Sequence, residues 1–167
     1  MKTHKETQKN GIPKRKWIPT ELWNQILSKL PIPCLDLIVQ RPNNSILYGW
    51  RLIPPYRNKW ALIGGRILHG EDLRGCASRI ATEYGLTFGR LYLNGVFPIN
   101  FSTRADLVIS LAAIDISGEP RVDGFEFSKF VWSRRPPLGI GTNYHRMVMK
   151  WNQAKKSATF LRLNRIV

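Results

Sequence analysis

The chain has 167 residues, 43% of them hydrophobic, and carries 26 Lys and Arg against 11 Asp and Glu, a formal net charge of +15. That length and apolar content suit one domain with a substantial core and exclude a disordered chain, while the charge invites an anionic partner: nucleotide, nucleic acid or membrane surface. The longest clear apolar run, Leu107 to Ile114, is far too short to cross a bilayer, so no membrane-spanning segment is expected. Residues 1–16 are polar and lack the apolar segment of a secretory leader, so a cytoplasmic location is expected. Cys34 and Cys76 show no metal-ligand spacing and read as buried thiols in a reducing compartment.

In chain order, Lys2, Lys5, Lys9, Lys14, Arg15 and Lys16 face one acid, Glu6, so residues 1–18 read as a basic arm, either solvated or tracking phosphates. A single domain is expected over 19–156 and a basic tail over 157–167. Thr20 is placed to cap a helix whose apolar face is Leu22, Trp23, Ile26, Leu27 and Leu30, ended by Pro31. Residues 34–40 and 45–50 read as a hairpin turning at Arg41-Pro42-Asn43-Asn44. Asp36 lies inside this otherwise apolar strand, and a buried carboxylate needs a partner, structural or functional. Arg51 follows the second strand, and a Pro54-Pro55 loop leads on to Lys59.

The apolar run Trp60 to Ile63 then meets Gly64-Gly65, which reads as a strand ending where backbone comes close to something. A helix begins near Glu71-Asp72, with Leu73, Cys76, Ala77, Ile80 and Tyr84 as its apolar face. Asp72, Arg79 and Glu83 fall within about 40° of one another on a different stripe. A glycine loop thus faces a helix side carrying acid and base. Beyond it, Leu91 to Phe97 and Asp106 to Ile116 read as strands of the same sheet, joined by a loop from Pro98 to Ala105 that borders a pocket. A turn over Ser117 to Pro120, an alternating strand over Gly124 to Trp132 and a closing helix over Asn143 to Lys156 follow. The tail is basic but also apolar at Phe160, Leu161, Leu163 and Ile166, and suits either a last strand or association.

The stretch from Gly65 through Glu71 and Arg79 to Glu83 resembles the Nudix box, G-x5-E-x7-R-E-U-x-E-E-x-G-U with U a bulky apolar residue. Gly65, Glu71 and Arg79 are in register. Ile80 replaces the glutamate after the arginine, Glu83 keeps the first position of the later pair, Tyr84 takes the second, and Gly85 arrives one residue early. The flanks Leu35-Asp36-Leu37-Ile38-Val39, Arg51 and Trp60 to Arg66 are similar to the GDP-mannose mannosyl hydrolase branch of that superfamily. The resemblance covers roughly Leu30 to Lys155.

This resemblance implies an α/β fold, a Nudix-type α/β/α sandwich with a mixed β-sheet. It implies a hydrolase of nucleotide sugars, and a divalent cation, Mg²⁺ or alternatively Mn²⁺, that neutralises the diphosphate. The expected metal shell is Gly64, Glu83 and Glu126, with water and substrate oxygens completing it. Arg51 and Arg66 are the expected diphosphate contacts. Asp36 falls on a functional Asp of the branch, Glu126 on a metal-ligand or base position, and Glu71 and Arg79 on the bracing part of the box. The His base of the branch is Phe127 here, which cannot accept a proton. His145, His69 and Glu126 are the replacements available. Relatives suggest a homodimer. The scissile bond, at the sugar carbon or between phosphates, stays open. So does a non-catalytic domain that binds nucleotide or RNA, which the missing glutamates and the charge favour.

Overall fold

The computed structural model describes residues 18–166, so the expected basic arm lies, but for Ile18, outside the described residues. The elements are α1 (Thr20–Lys29), β1 (Ile32–Val39), β2 (Ile46–Arg51), β3 (Trp60–Ala61), β4 (Ile63–Arg66), α2 (Leu73–Glu83), β5 (Leu86–Asn100), β6 (Ala105–Gly118), β7 (Phe127–Ser133), α3 (Thr142–Ala154), α4 (Ala158–Leu163) and β8 (Arg165–Ile166). No described helix is long and apolar enough to cross a membrane.

The strands form two sheets. One is mixed, in the order β4-β1-β6-β5-β8, with β1 antiparallel to β4 and parallel to β6. The other is antiparallel, in the order β3-β2-β7. The chain turns between β1 and β2 at the expected place, where the Asn44 amide donates to the Arg41 carbonyl. The expected hairpin, however, is not a paired one. Past a single Gln40–Ile46 bridge the two strands part, one into each sheet. The run Trp60 to Ile63 splits likewise: β3 belongs to the small sheet, β4 to the large one, and Leu62 between them is fully buried.

The two faces of the large sheet are packed differently. Against the face bearing Gly65, α2 buries Cys76, Ala77, Ile80 and Ala81, the helical spacing seen in the sequence. Asp72 caps α2, its carboxylate accepting from the Gly75 amide at 2.6 Å. On the side of Asp36, α3 buries Tyr144, Met147, Val148 and Trp151. Each fully buried large side chain of this kind contributes roughly 1.5–3 kcal/mol through removal from water. At α1 the expected Thr20 cap is not made: Pro19 holds the cap position without a side-chain bond, and no α1 residue is buried. Residues 158–166 pack as α4 and β8, and β8 pairs with β5.

The small sheet depends on one close approach. A Cβ on Gly49 would lie 2.8 Å from Phe130 Cε1, and it would also collide with the Phe127 ring. Gly49→Ala should therefore lower the urea midpoint by an amount equivalent to about 1–3 kcal/mol, the usual cost of overpacking a core.

Candidate functional site

The glycine pair comes close to the chain's own acid. Asp36 on β1 faces Gly64 on β4 across an antiparallel pair. A Cβ at Gly64 would sit 2.7 Å from the Leu35 carbonyl oxygen and would collide with the Asp36 carboxylate, so glycine there makes room for Asp36. Gly65 points the other way, onto Ile80.

Arg51, at the end of β2, pairs with Glu126, in the loop just before β7; both side chains are largely covered, at 12% and 20% exposure. Glu126 therefore precedes the strand that was expected to contain it. Its place is set by Asp123, whose Oδ1 accepts from the backbone amides of Phe125, Glu126 and Phe127 at 3.2, 3.0 and 2.9 Å. The Glu126 carbonyl in turn accepts from the Leu52 amide at 2.8 Å. Asp123-Gly124 is a turn dipeptide, and that signal could have located this holding carboxylate from sequence.

These groups share one electrostatic neighbourhood at the seam of the two sheets. Burial pushes the Asp36 carboxyl up to about 7; Arg51 opposes this, and Glu126 and Asp106 add to it. Burial also raises the Glu126 carboxyl, against the pull of Arg51 and with the push of Asp123 and Glu83. Tyr144 of α3 is buried beside the cluster, and burial, then the charge of Asp36, keeps its hydroxyl protonated. Sequence reasoning placed Tyr144 only in a packing face, because helical periodicity cannot say which core residue borders a cleft.

Arg79 ties the box loop to α2. Its Nε and Nη2 donate to the two Glu71 carboxylate oxygens at 2.5 and 2.9 Å, Nη2 also reaches the Arg66 carbonyl at 2.9 Å, and Nη1 meets Glu83 at 3.3 Å. Glu71 Oε2 accepts from the Leu68 amide at 3.0 Å, closing the loop. The Arg66 side chain is exposed and stacks over Trp23 of α1 at 4.2 Å, apart from the Arg51–Glu126 pair. Tyr84, at the second glutamate position of the box, is buried against Phe127 and Phe130, so that position is closed by aromatic packing. His69 and His145 are both exposed.

Among the described residues, no three His, Cys, Asp or Glu side chains converge as a metal cluster. Of the expected shell of Gly64, Glu83 and Glu126, Glu126 pairs with Arg51 and Glu83 touches Arg79. Yet Glu83, whose side chain is 49% exposed, is close enough to push the Glu126 carboxyl up. Carboxylates are donors that suit a hard dication, with water and substrate oxygens supplying the rest.

No family model matches the chain. A MutT Nudix hydrolase from Burkholderia pseudomallei superposes with a TM-score of 0.68 at 20% identity, over 73% of this chain and 98% of that one. The chain has the Nudix fold. A MutT protein from Methanosarcina mazei Go1 gives a TM-score of 0.66 at 14% identity, over 77% of this chain and 99% of its own. The Nudix domain of Shewanella oneidensis NrtR, solved with ADP ribose, gives 0.63 at 14% identity, over 75% and 88%. In sequence, the low-salt glycan biosynthesis protein Agl8 of Haloferax volcanii is 32% identical over 66 residues, 40% of this chain and 42% of that protein. The match thus spans less than half of this curated relative. In Nudix-fold terms, Asp36 and Gly64 come from the large sheet, Arg51 from the small sheet and Glu126 from the loop leading into it.

The Glu71 brace carries a pH signature. The hydrogen bond from Arg79 holds the Glu71 carboxyl at about 2, below its ordinary 4.5. In the unfolded chain the group takes up its proton first, so its stabilisation is complete above 4.5 and is lost as pH falls toward 2. Urea unfolding of Glu71→Gln should therefore show a deficit against wild type at pH 6 that narrows by pH 3.

Proposed function

We propose that this chain is a hydrolase of compounds in which a nucleoside diphosphate is linked to another group, with nucleotide sugars of the GDP-mannose type as the substrate class. The observation that carries the reading is the cluster of Asp36, Arg51 and Glu126 at the seam of the two sheets, with Asp36 set against Gly64. An acid and an ion pair collected where water is largely excluded are the means to bind a charged group and move a proton. The ADP-ribose bound by the Shewanella Nudix domain supports a nucleoside diphosphate joined to a sugar. The partial likeness to a glycan biosynthesis protein supports the sugar.

In this reading Arg51 contacts the diphosphate, and the guanidinium fork suits two phosphate oxygens. Arg66, exposed at the end of β4 and stacked over Trp23, would have to leave that ring to reach a bound diphosphate. Glu83 and Glu126 would hold Mg²⁺ or Mn²⁺, which supplies charge neutralisation of the diphosphate when bound. Asp36 is the proton acceptor for the attacking water. Its carboxyl, raised to about 7, is a stronger base than an ordinary carboxylate and still half ionised near neutrality. Until a cation binds, Glu126 holds Arg51 in position. Glu71 and Arg79 hold the loop that carries the glycines.

A second reading has an observation of its own. Tyr84 fills a box glutamate position and Glu126 is neutralised by Arg51, which also suits a domain that binds a nucleotide or RNA without turning it over. Incubation with Mg²⁺ and a panel of nucleotide sugars separates the two. Free sugar with nucleoside diphosphate, or sugar phosphate with nucleoside monophosphate, is the expected product pair and reports the scissile bond. No turnover of any member, with RNA binding that weakens steeply with salt and vanishes on removal of residues 1–16, would replace the enzyme reading.

The proton acceptor makes a sharper expectation. Because Asp36 works in its ionised form, kcat/KM should climb with pH and level off above about 7. Asp36→Asn should lose roughly 10²–10⁴ in rate, the usual contribution of a general base, and its profile should lack that rising limb.

A further inference from the structure

Four residues beyond Asp36 on the same strand line stands Gln40, ~13 Å away at the rise of an extended chain. There the edge of the fold forms an open hollow of about 390 Å³ between the β1–β2 turn, β6 and the corner from α3 to α4. Ile114 and Leu161 form its apolar wall, with the almost fully covered indole of Trp151 beneath. Its polar side is tied together. The Gln40 carboxamide oxygen accepts from Trp151 Nε1 at 2.8 Å and from Lys155 Nζ at 2.8 Å, and Lys155 Nζ also donates to Asn44 Oδ1 at 3.2 Å.

The charge of this hollow is not balanced. Lys155 is held by two neutral oxygens, and among the described residues neither Lys155 nor Lys156 is ion-paired to a carboxylate. The acids nearest in the strand and turn beside it are already committed, Asp115 to Arg90 and Glu119 to Arg41. Burial, and then the charge of Lys156, lower the Lys155 ammonium from its ordinary value. An ammonium has three donors, and Lys155 spends two on amide oxygens. A dianion entering here would relieve the repulsion between the lysines and take the remaining donor. The volume exceeds what a bare phosphate fills, and the aliphatic wall suits a body attached to it.

We propose that this hollow binds a small organic phosphate, its phosphate group held by Lys155 and Lys156 and its body against Ile114 and Leu161. The site is distinct from the Asp36 cleft and does not rest on the hydrolase reading. The test is side-chain and backbone amide NMR of the full ¹⁵N-labelled chain, titrated with guanosine monophosphate and, separately, with inorganic phosphate. Saturable shifts of the Trp151 indole and Gln40 carboxamide are expected with the nucleotide, at least tenfold tighter than with inorganic phosphate. The Lys155→Met/Lys156→Met variant should lose them by at least tenfold, while any shifts at Gly64 and Gly65 persist. Lys156→Glu, a change at an exposed position, should show the same loss and serves if the double variant does not fold. Shifts confined to Gly64 and Gly65, equal response to the two probes, or Trp151 shifts that survive both variants would overturn the proposal.

Discussion

The guanidinium of Arg79 is the fixed point of this fold's working end. One side chain on α2 satisfies both oxygens of Glu71 and the main-chain carbonyl of Arg66, and it touches Glu83. Sheet, loop and helix are thereby joined at a single planar group. Lysine could not do this, because the fork offers several donors in one plane. In the loop from Ile67 to Asp72, Ile67 packs against the core and these charge-assisted bonds hold the rest.

A different economy governs the cleft. Among the described residues Arg51 is the cation acting on both Asp36 and Glu126, and it is paired to Glu126. One positive charge among two covered acids leaves the second acid close to neutrality. Burial raises both carboxyls, and direct contact with Arg51 is what sets Glu126 apart as an ion-pair partner. Loss of Arg51 would strand a covered charge, the case in which a buried pair matters most.

Much of this was legible in the chain. The spacing of Cys76, Ala77 and Ile80 located α2 and its buried face, since a helix needs an apolar stripe at that period. Gly64 announced a close approach, and the approach proved to be Asp36. Arg51, Asp36 and Glu126 were each singled out, yet nothing in the sequence brought Arg51 and Glu126 into contact. Turn chemistry at Arg41 to Asn44 shows that the chain reverses, but not that the strands on either side join different sheets. That choice rests on partners far along the chain, as does the break at Leu62. Aromatic closure around Tyr84 was hidden for the same reason: Phe127 and Phe130 lie in a distant strand.

The place of β1 has a kinetic meaning. Its neighbours are β4 and β6, and Ile32 lies beside Asp106 although about half of the described chain separates them. The long β5–β6 hairpin, by contrast, closes over a short loop. Loop closure costs more entropy as the intervening chain grows, so the hairpin is the natural early structure and β1 inserts against it later. Asp36 travels with β1. The site therefore acquires Asp36 at a late step of folding, when β1 docks beside β6.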